Sequence, residues 1–277
     1  MGTFFNIIII NNLMKYNAAS LIRTFEFALK TIRLFKNWSV MFSYISGGPG
    51  KTILKLRNGL NFHSNGNIAD VVVLVENFTG ETQYDSGLVT PPKIVVDIGA
   101  NIGAFAAYIK TKYPSTTIYC YEPDPENFKN LTKNIQENNF KDVMLFNKAV
   151  GKQNGKITLY AETTEFGTAN SSTIRKSDVS IDVECLTLEE IFKENNIEKC
   201  DLLKLDCEGC EYDIFYNTNT NIIKKAGIIS LEYHDLDPNT GKNLADYLEQ
   251  SKFKCKIQAT NRNPKIGYIN AVNSKFT

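Results

Sequence analysis

No stretch of this 277-residue chain approaches the roughly 20 consecutive apolar residues that a membrane-spanning helix requires. The apolar segment at residues 4–14 is short and broken by Asn6, Asn11 and Asn12. No basic cluster precedes it and no small-residue cleavage site follows, so neither stable membrane insertion nor a signal peptide is expected. An excess of one charge is missing too: 31 Lys and Arg stand against 30 Asp and Glu, a formal net charge of +1. That balance argues against a nucleic-acid partner and leaves a small molecule or a glycan as the expected one. Cysteine is sparse, at six residues, and does not form the framework of a disulfide-rich scaffold. Cys120, Cys185 and Cys200 fall in or beside predicted strands as buried thiols, and a cytoplasmic location is the expectation. Cys207 and Cys210 form a C-x-x-C pair at a predicted helix start, where a thiol pKa can be lowered. No tryptophan or proline of a thioredoxin-like site accompanies the pair, and no second pair completes a zinc site. Cys207 therefore reads as a buried strand-end residue and Cys210 as small helix packing.

Hydrophobic residues make up 43% and charged residues 22%, as in an ordinary globular protein with one large domain and a small appendage. Residues 1–46 read as helical, with Leu21, Ile22, Phe25, Ala28, Leu29, Ile32 and Phe35 on one stripe. Such a helix packs on the core or on a second subunit; its Arg and Lys residues leave a membrane-surface helix as the alternative. Residues 51–90 read as a β-rich extension and substrate-side cover, with strands at 52–57 and 71–75. Acceptor contacts are expected from Tyr84 there, from the later insert around Phe166 to Ser172 with Asn170, Ser171 and Ser172, and from loops after Glu232. Gly50-Lys51-Thr52 imitates the end of a phosphate-binding loop, but the required first glycine falls at Ile45 and a strand pattern follows instead of a helix. Pro91-Pro92 opens the main domain, residues 91–277, where strands and helices alternate. A hairpin is inserted at 156–160 and 180–185, and two final strands follow one another without a helix. The expected architecture is α/β, Rossmann-like and doubly wound, with a mostly parallel sheet and an antiparallel last strand.

The most informative segment is VVDIGANIG at residues 95–103, followed nineteen residues later by Glu122 in IYCYEPD. It reads as a buried strand ending in Asp97, a glycine turn, a helix, and a second strand ending in Glu122 and Pro123. A dinucleotide fingerprint needs a glycine where Asn101 stands, because a pyrophosphate must approach the backbone there. S-adenosylmethionine carries no phosphate, and its sulfonium and ammonium suit Asp97. Glu122 is placed to accept both ribose hydroxyls. A second group of side chains falls at later strand ends: Lys204, Asp206, Glu208 and Glu211 in LLKLDCEGCEYD, then Glu232 and His234 in SLEYHD. Ligands of open α/β sheets bind beyond such ends. Three readings stay open at this point. His234 or Glu208 acts as general base on a substrate hydroxyl, with Asp206 and Glu232 beside it. Alternatively Asp206, Glu208, Glu232 and His234 hold a divalent cation. In the plain structural reading Lys204 pairs with Glu211, Glu208 caps the helix, and His234 packs on the sheet.

VVDIGANIG, YCYEPDPENFKNLTKNI, CLTLEEIF, LLKLDCEGCEYDIF and ISLEYHD, in that order, resemble the FkbM-family methyltransferases, a branch of the class I S-adenosylmethionine-dependent enzymes. The resemblance spans about residues 50–260 and leaves the N-terminal 46 residues outside. It implies a seven-stranded doubly wound sheet and O-methylation of a hydroxyl on a sugar, glycolipid or polyketide-like molecule. It also implies that Asp97, Gly99, Asn101 and Gly103 shape the methionine end, Glu122 takes the ribose, and Asn147 lies near adenine. Cys207 and Cys210 replace the small or apolar residues usual there. On these grounds His234 is the first expectation for the base and Glu208 the second, with no metal. A non-catalytic nucleoside-binding scaffold is the rival reading.

Overall fold

The computed structural model describes residues 18–45, 50–80, 84–164, 167–172, 179–260 and 263–276. Much of the expected N-terminal helical region, residues 1–17 and 46, lies outside them, as does Phe166. Helices α1 (Ala18–Leu34) and α2 (Val40–Ile45) lead into a hairpin of β1 (Thr52–Lys55) and β2 (Asn61–Ser64). Where the β-branched run at 71–75 predicts a strand, the chain forms helix α3 (Ile68–Thr79). The local signals are strong at both ends. Asn67 accepts the Asp70 N–H as N-cap, and Gly80 closes the helix in the left-handed conformation. Val71, Leu74 and Val75 then share one buried face at helical spacing, so packing overrides strand propensity.

The main domain follows the expected alternation: β3 (Ile94–Ile98), α4 (Ala104–Lys112), β4 (Thr117–Tyr121), α5 (Pro125–Glu137) and β5 (Val143–Phe146). A small sheet comes next, built from β6 (Ala149–Val150), β7 (Gly155–Thr164), β8 (Gly167–Ser172) and β9 (Val179–Leu186). It replaces the two-stranded insert expected from sequence. The second half comprises α6 (Leu188–Glu194), β10 (Cys200–Leu205), α7 (Glu211–Asn217), α8 (Thr220–Ile223), β11 (Ala226–His234), α9 (Gly241–Gln250), β12 (Phe253–Ala259) and β13 (Ile266–Asn273). The large sheet has seven strands in the order β12-β13-β11-β10-β3-β4-β5. All neighbours from β11 to β5 are parallel, and β13 runs antiparallel between β12 and β11. The order reverses between β3 and β10, so a crevice opens at the carboxyl ends of those two strands.

The N-terminal elements sit over that crevice. Phe35, Leu54, Leu56, Phe62 and Leu74 form one buried cluster with Ile102, Ala104 and Ala107 at the start of α4. Asparagines lock the hairpin to α5. Asn134 Oδ1 accepts the His63 N–H at 2.6 Å, and its amide donates to the His63 and Ile102 carbonyls. Asn138 makes the same double contact with the Asn61 backbone, and Asn65 bonds both Asn127 and Asn130.

Candidate active site

Parallel register sets Asp97 of β3 beside Lys204 of β10. Asp97 is fully buried, and Lys204 Nζ lies 2.9 Å from its Oδ1. The same ammonium donates to the Gly99 carbonyl at 2.7 Å. Burial works against the Lys204 charge, but the Asp97 and Asp206 carboxylates more than offset it and raise its pKa. Asp97 was expected to face the ligand. Instead it lies beneath the glycine turn, and the ion pair pins that turn from below.

The turn spends its own donors internally. Gly99 and Ala100 N–H groups donate to the Tyr121 carbonyl at 2.9 and 3.1 Å, and Gly103 N–H donates to Ala100. Asn101 N–H donates to Glu122 Oε2 at 2.7 Å, and Ile102 N–H donates to Asn101 Oδ1 at 2.7 Å. None of these five N–H groups points freely at a phosphate, as an anion-binding turn would require. Gly99 has φ +76°, and a Cβ there would stand 1.8 Å from the Asp206 carbonyl oxygen. Glycine is thus what allows the β3 turn and the loop after β10 to touch.

Glu122 Oε1 also accepts the Asp124 N–H at 2.8 Å. Each carboxylate oxygen keeps a further lone pair for a ligand hydroxyl. Burial, opposed by the two backbone N–H groups, pushes the Glu122 carboxyl up to about 7. Asn147 Nδ2 donates to the Glu122 and Pro123 carbonyls at 2.8 and 3.0 Å, so it braces this loop from behind.

These loops wall a cavity of about 430 Å³. Gly99, Asn101, Glu122, Pro123 and Asp206 line it, whereas Asp97, Gly103 and Asn147 support it from outside the wall. Ile68, Val72 and Glu76 of α3, together with Tyr84, Glu208 and Glu232, complete the lining. Lys204 of the LLKLDCEGCEYD strand end also lines the cavity, whereas Tyr84 and the α3 residues line it without a strand-end motif to mark them. Tyr84 is 3% exposed and donates to Asp206 Oδ2 at 3.1 Å. Its ring meets Phe105 and Tyr268 edge-on, which fixes its direction. Burial pushes the Glu232 carboxyl up, and the hydrogen-bonded Asp206 carboxylate adds to the effect. Glu232 and Asp206 are hydrogen-bonded partners. Phe166 and the side chains of residues 167–172, including Asn170, Ser171 and Ser172, lie outside what is described.

Period-two alternation correctly places Glu232 and His234 on one face of β11, with His234 Nε2 4.0 Å from Glu232 Oε2. Two further carboxylates arrive from other elements: Glu208 Oε2 lies 3.4 Å from Nε2, and the fully buried Glu211 Oε1 lies 3.4 Å from Nδ1. Burial works against the imidazolium, but Glu211 first, then Glu208 and Glu232, raise its pKa to about 9. At neutral pH His234 already holds the proton that a general base would have to accept. Glu211 pairs with His234 and not with Lys204, and Glu208 reaches His234 from the loop before α7. Among the described residues no group of three or more His, Cys, Asp and Glu side chains is arranged to hold a metal ion.

The sign of the His234 contribution follows from its raised pKa. Stability from the His234 cluster is fully present below the unfolded value of about 6.5 and is lost as pH rises through 9. The gap in stability between the native chain and a His234→Gln variant should therefore shrink by on the order of 2 kcal/mol between pH 6 and pH 10. Paired urea titrations check this, and a gap constant with pH would refute the charged assignment.

One expectation fails outright. Cys207 and Cys210 are joined by a disulfide instead of packing as separate thiols, while Cys120, Cys185, Cys200 and Cys255 remain free. Between the bridged residues Glu208 (φ 55°) and Gly209 (φ 105°) are both left-handed. For Glu208 that conformation costs roughly 1–2 kcal/mol, so the surrounding loop must enforce it.

A family model described as the methyltransferase FkbM domain matches residues 97–255. "Methyltransferase 1" of Beauveria bassiana is 30% identical over 151 residues, covering 47% of this chain and 60% of that protein. "2-O-methyltransferase NoeI" of Sinorhizobium fredii is 26% identical, covering 58% of this chain and 71% of that one. "31-O-demethyl-FK506 methyltransferase FkbM" of Streptomyces tacrolimicus is 24% identical over 69% of this chain and 85% of its own length. Among solved structures, a methyltransferase FkbM from Methylobacillus flagellatus aligns with a TM-score of 0.49 at 12% identity. That alignment covers 91% of this chain and 60% of the other.

Proposed function

The chain belongs to the FkbM methyltransferase family, and from that premise we propose that it transfers a methyl group from S-adenosylmethionine to a hydroxyl oxygen of a sugar, glycolipid or polyketide-like small molecule. The observation that carries the cofactor half is the saturated turn: five N–H groups are spent internally and the buried Glu122 carboxylate stands beside them. That suits a nucleoside without phosphates and disfavours a dinucleotide. When bound, S-adenosylmethionine supplies an electrophilic methyl group on a sulfonium. Gly99, Asn101, Glu122 and Pro123 take the nucleoside and methionine portions. Oxygen as the acceptor atom agrees with the names of the Sinorhizobium and Streptomyces relatives.

On the acceptor side Asp206 lines the cavity, and its main-chain carbonyl packs against Gly99 of the turn. We assign the hydroxyl proton to Asp206, in place of His234, which is already charged. Hydrogen bonds with Glu232 and Tyr84 hold the Asp206 carboxylate in place. Positioning supplies most of the rate, because well-oriented reactants reach effective molarities of about 10⁵ M or more. The proton acceptor adds about 10²–10⁴-fold. Apolar Ile68, Val72 and Val73 of α3 would seat the body of the acceptor.

Calorimetric titration with S-adenosylhomocysteine tests the reading, with NADH as the control that should not bind. Removing the ribose carboxylate in Glu122→Ala should weaken the product complex by about 10- to 100-fold. The native affinity should also fall about tenfold from pH 8 to pH 6, because only ionised Glu122 accepts both hydroxyls and its pKa is near 7. An unaltered isotherm in Glu122→Ala would sink the cofactor assignment. Product complexes that form without methyl transfer to any member of a broad hydroxyl panel would instead favour a binding scaffold.

A further inference from the structure

We propose that Cys207 and Cys210 constitute a thiol–disulfide exchange site in the cavity wall, at which a dithiol opens the bridge and releases Glu208 from His234. The two cysteines line the cavity and are partly exposed, unlike the buried Cys120, Cys185 and Cys200. The bridge spans only Glu208 and Gly209, whose consecutive left-handed conformations a short ring can enforce. Both neighbours of Cys207, Asp206 and Glu208, also face the cavity. Few loops could couple sulfur chemistry so directly to a site's charged groups.

The exchange balances as two thiol–disulfide steps. A thiolate of the dithiol attacks one bridge sulfur, forming a mixed disulfide and freeing the other cysteine, which takes up a proton. The second thiol of the reductant, deprotonated, then attacks the mixed disulfide and frees the remaining cysteine. Two electrons and two protons reach the chain, and the reductant leaves as its own disulfide. Once the ring is open, Glu208 is free to return to the right-handed region favoured by L-residues. Its carboxylate then withdraws from His234 Nε2, now 3.4 Å away, and the acceptor side of the cavity loses a fixed negative group. The consequence for catalysis rests on the methyl-transfer reading; the opening of the bridge and the movement of Glu208 do not.

The chain has only two histidines, so imidazole NMR reads the change directly, with His63→Gln assigning the second signal. In air-oxidised protein His234 should titrate near 9. With excess dithiothreitol the midpoint should fall by about one pH unit, as one of its three carboxylates leaves. Alkylation mass mapping should show two newly labelled residues, Cys207 and Cys210. The double variant Cys207→Ala/Cys210→Ala should match the reduced state, and if it fails to fold the reduced native chain carries the comparison. Two results would overturn the proposal: both thiols alkylating before any reductant is added, or a reduced bridge with an unmoved His234 titration. Titration of oxidised protein with S-adenosylhomocysteine reports separately on the cofactor reading, so the two failures are distinguishable.

Discussion

Replacing Gly99 by alanine should abolish binding of S-adenosylhomocysteine and lower the melting temperature by several degrees. Two costs combine at this position. The backbone has φ +76°, which an L-residue adopts with strain. The added methyl would also sit 1.8 Å from the Asp206 carbonyl oxygen and 2.7 Å from its carbon. Both are main-chain atoms, so no side-chain rotation relieves the overlap. The loop after β10 has to move away from the turn after β3, and the cavity shares both walls. Overpacking of this kind costs typically 1–3 kcal/mol, and the strained φ adds about 1 kcal/mol. Gly80→Ala separates the two effects. Gly80 has a nearly identical φ of +78°, but nothing lies within 4 Å of its Cβ position. It should lose only the conformational part and keep normal product affinity. Equal damage in the two variants, measured by thermal melts and calorimetry, would show that the Gly99–Asp206 approach does not shape the site.

Lys204→Met should be the most destabilising change near the site. It removes the partner of Asp97, which is fully buried among apolar strands. Breaking a buried pair on one side costs about 3–5 kcal/mol, because the remaining charge is left without compensation. Burial already holds the Asp97 carboxyl above its ordinary value against the opposing pull of Lys204, so loss of the ammonium raises it further. A group shifted that way makes the fold weaker as pH rises, and the variant should melt higher at pH 5 than at pH 8. Asp97→Asn combined with Lys204→Met should recover much of the stability, since no isolated charge remains. It should not recover product binding, because the bond from Lys204 to the Gly99 carbonyl is still missing. Full recovery of binding in the double variant would remove the turn-pinning role.

The cofactor half was legible because its signals are contiguous: an apolar strand, an acid, a glycine turn and a second acid at a set distance. What they left open was direction. An acid at a strand end reads as a ligand contact, and only the β3–β10 register shows that Asp97 meets Lys204 instead. His234 illustrates the same gap. Alternation along β11 places it beside Glu232, but its charge is set by Glu208 and Glu211, which arrive from another loop and helix. The valine run in α3 misleads because three β-branched residues favour a strand locally, while the caps and the buried face decide for a helix. Tyr84 had no motif to mark it, since its role depends on reaching Asp206 across 122 residues of sequence. The C-x-x-C pair was visible, but bridge formation depends on the fold of the 206–210 loop.

The asparagine contacts between the hairpin and α5 have a consequence for how the cavity opens. Asn61, Asn65, Asn134 and Asn138 join the N-terminal cover to the nucleoside-binding half through neutral amides. Neutral joints are barely screened by dissolved ions and do not titrate. Two charged contacts cross the same seam, Lys51 with Glu126 and His63 with Glu137, and solvent reaches both. Rising ionic strength should weaken those two pairs while the amide joints keep the roof seated.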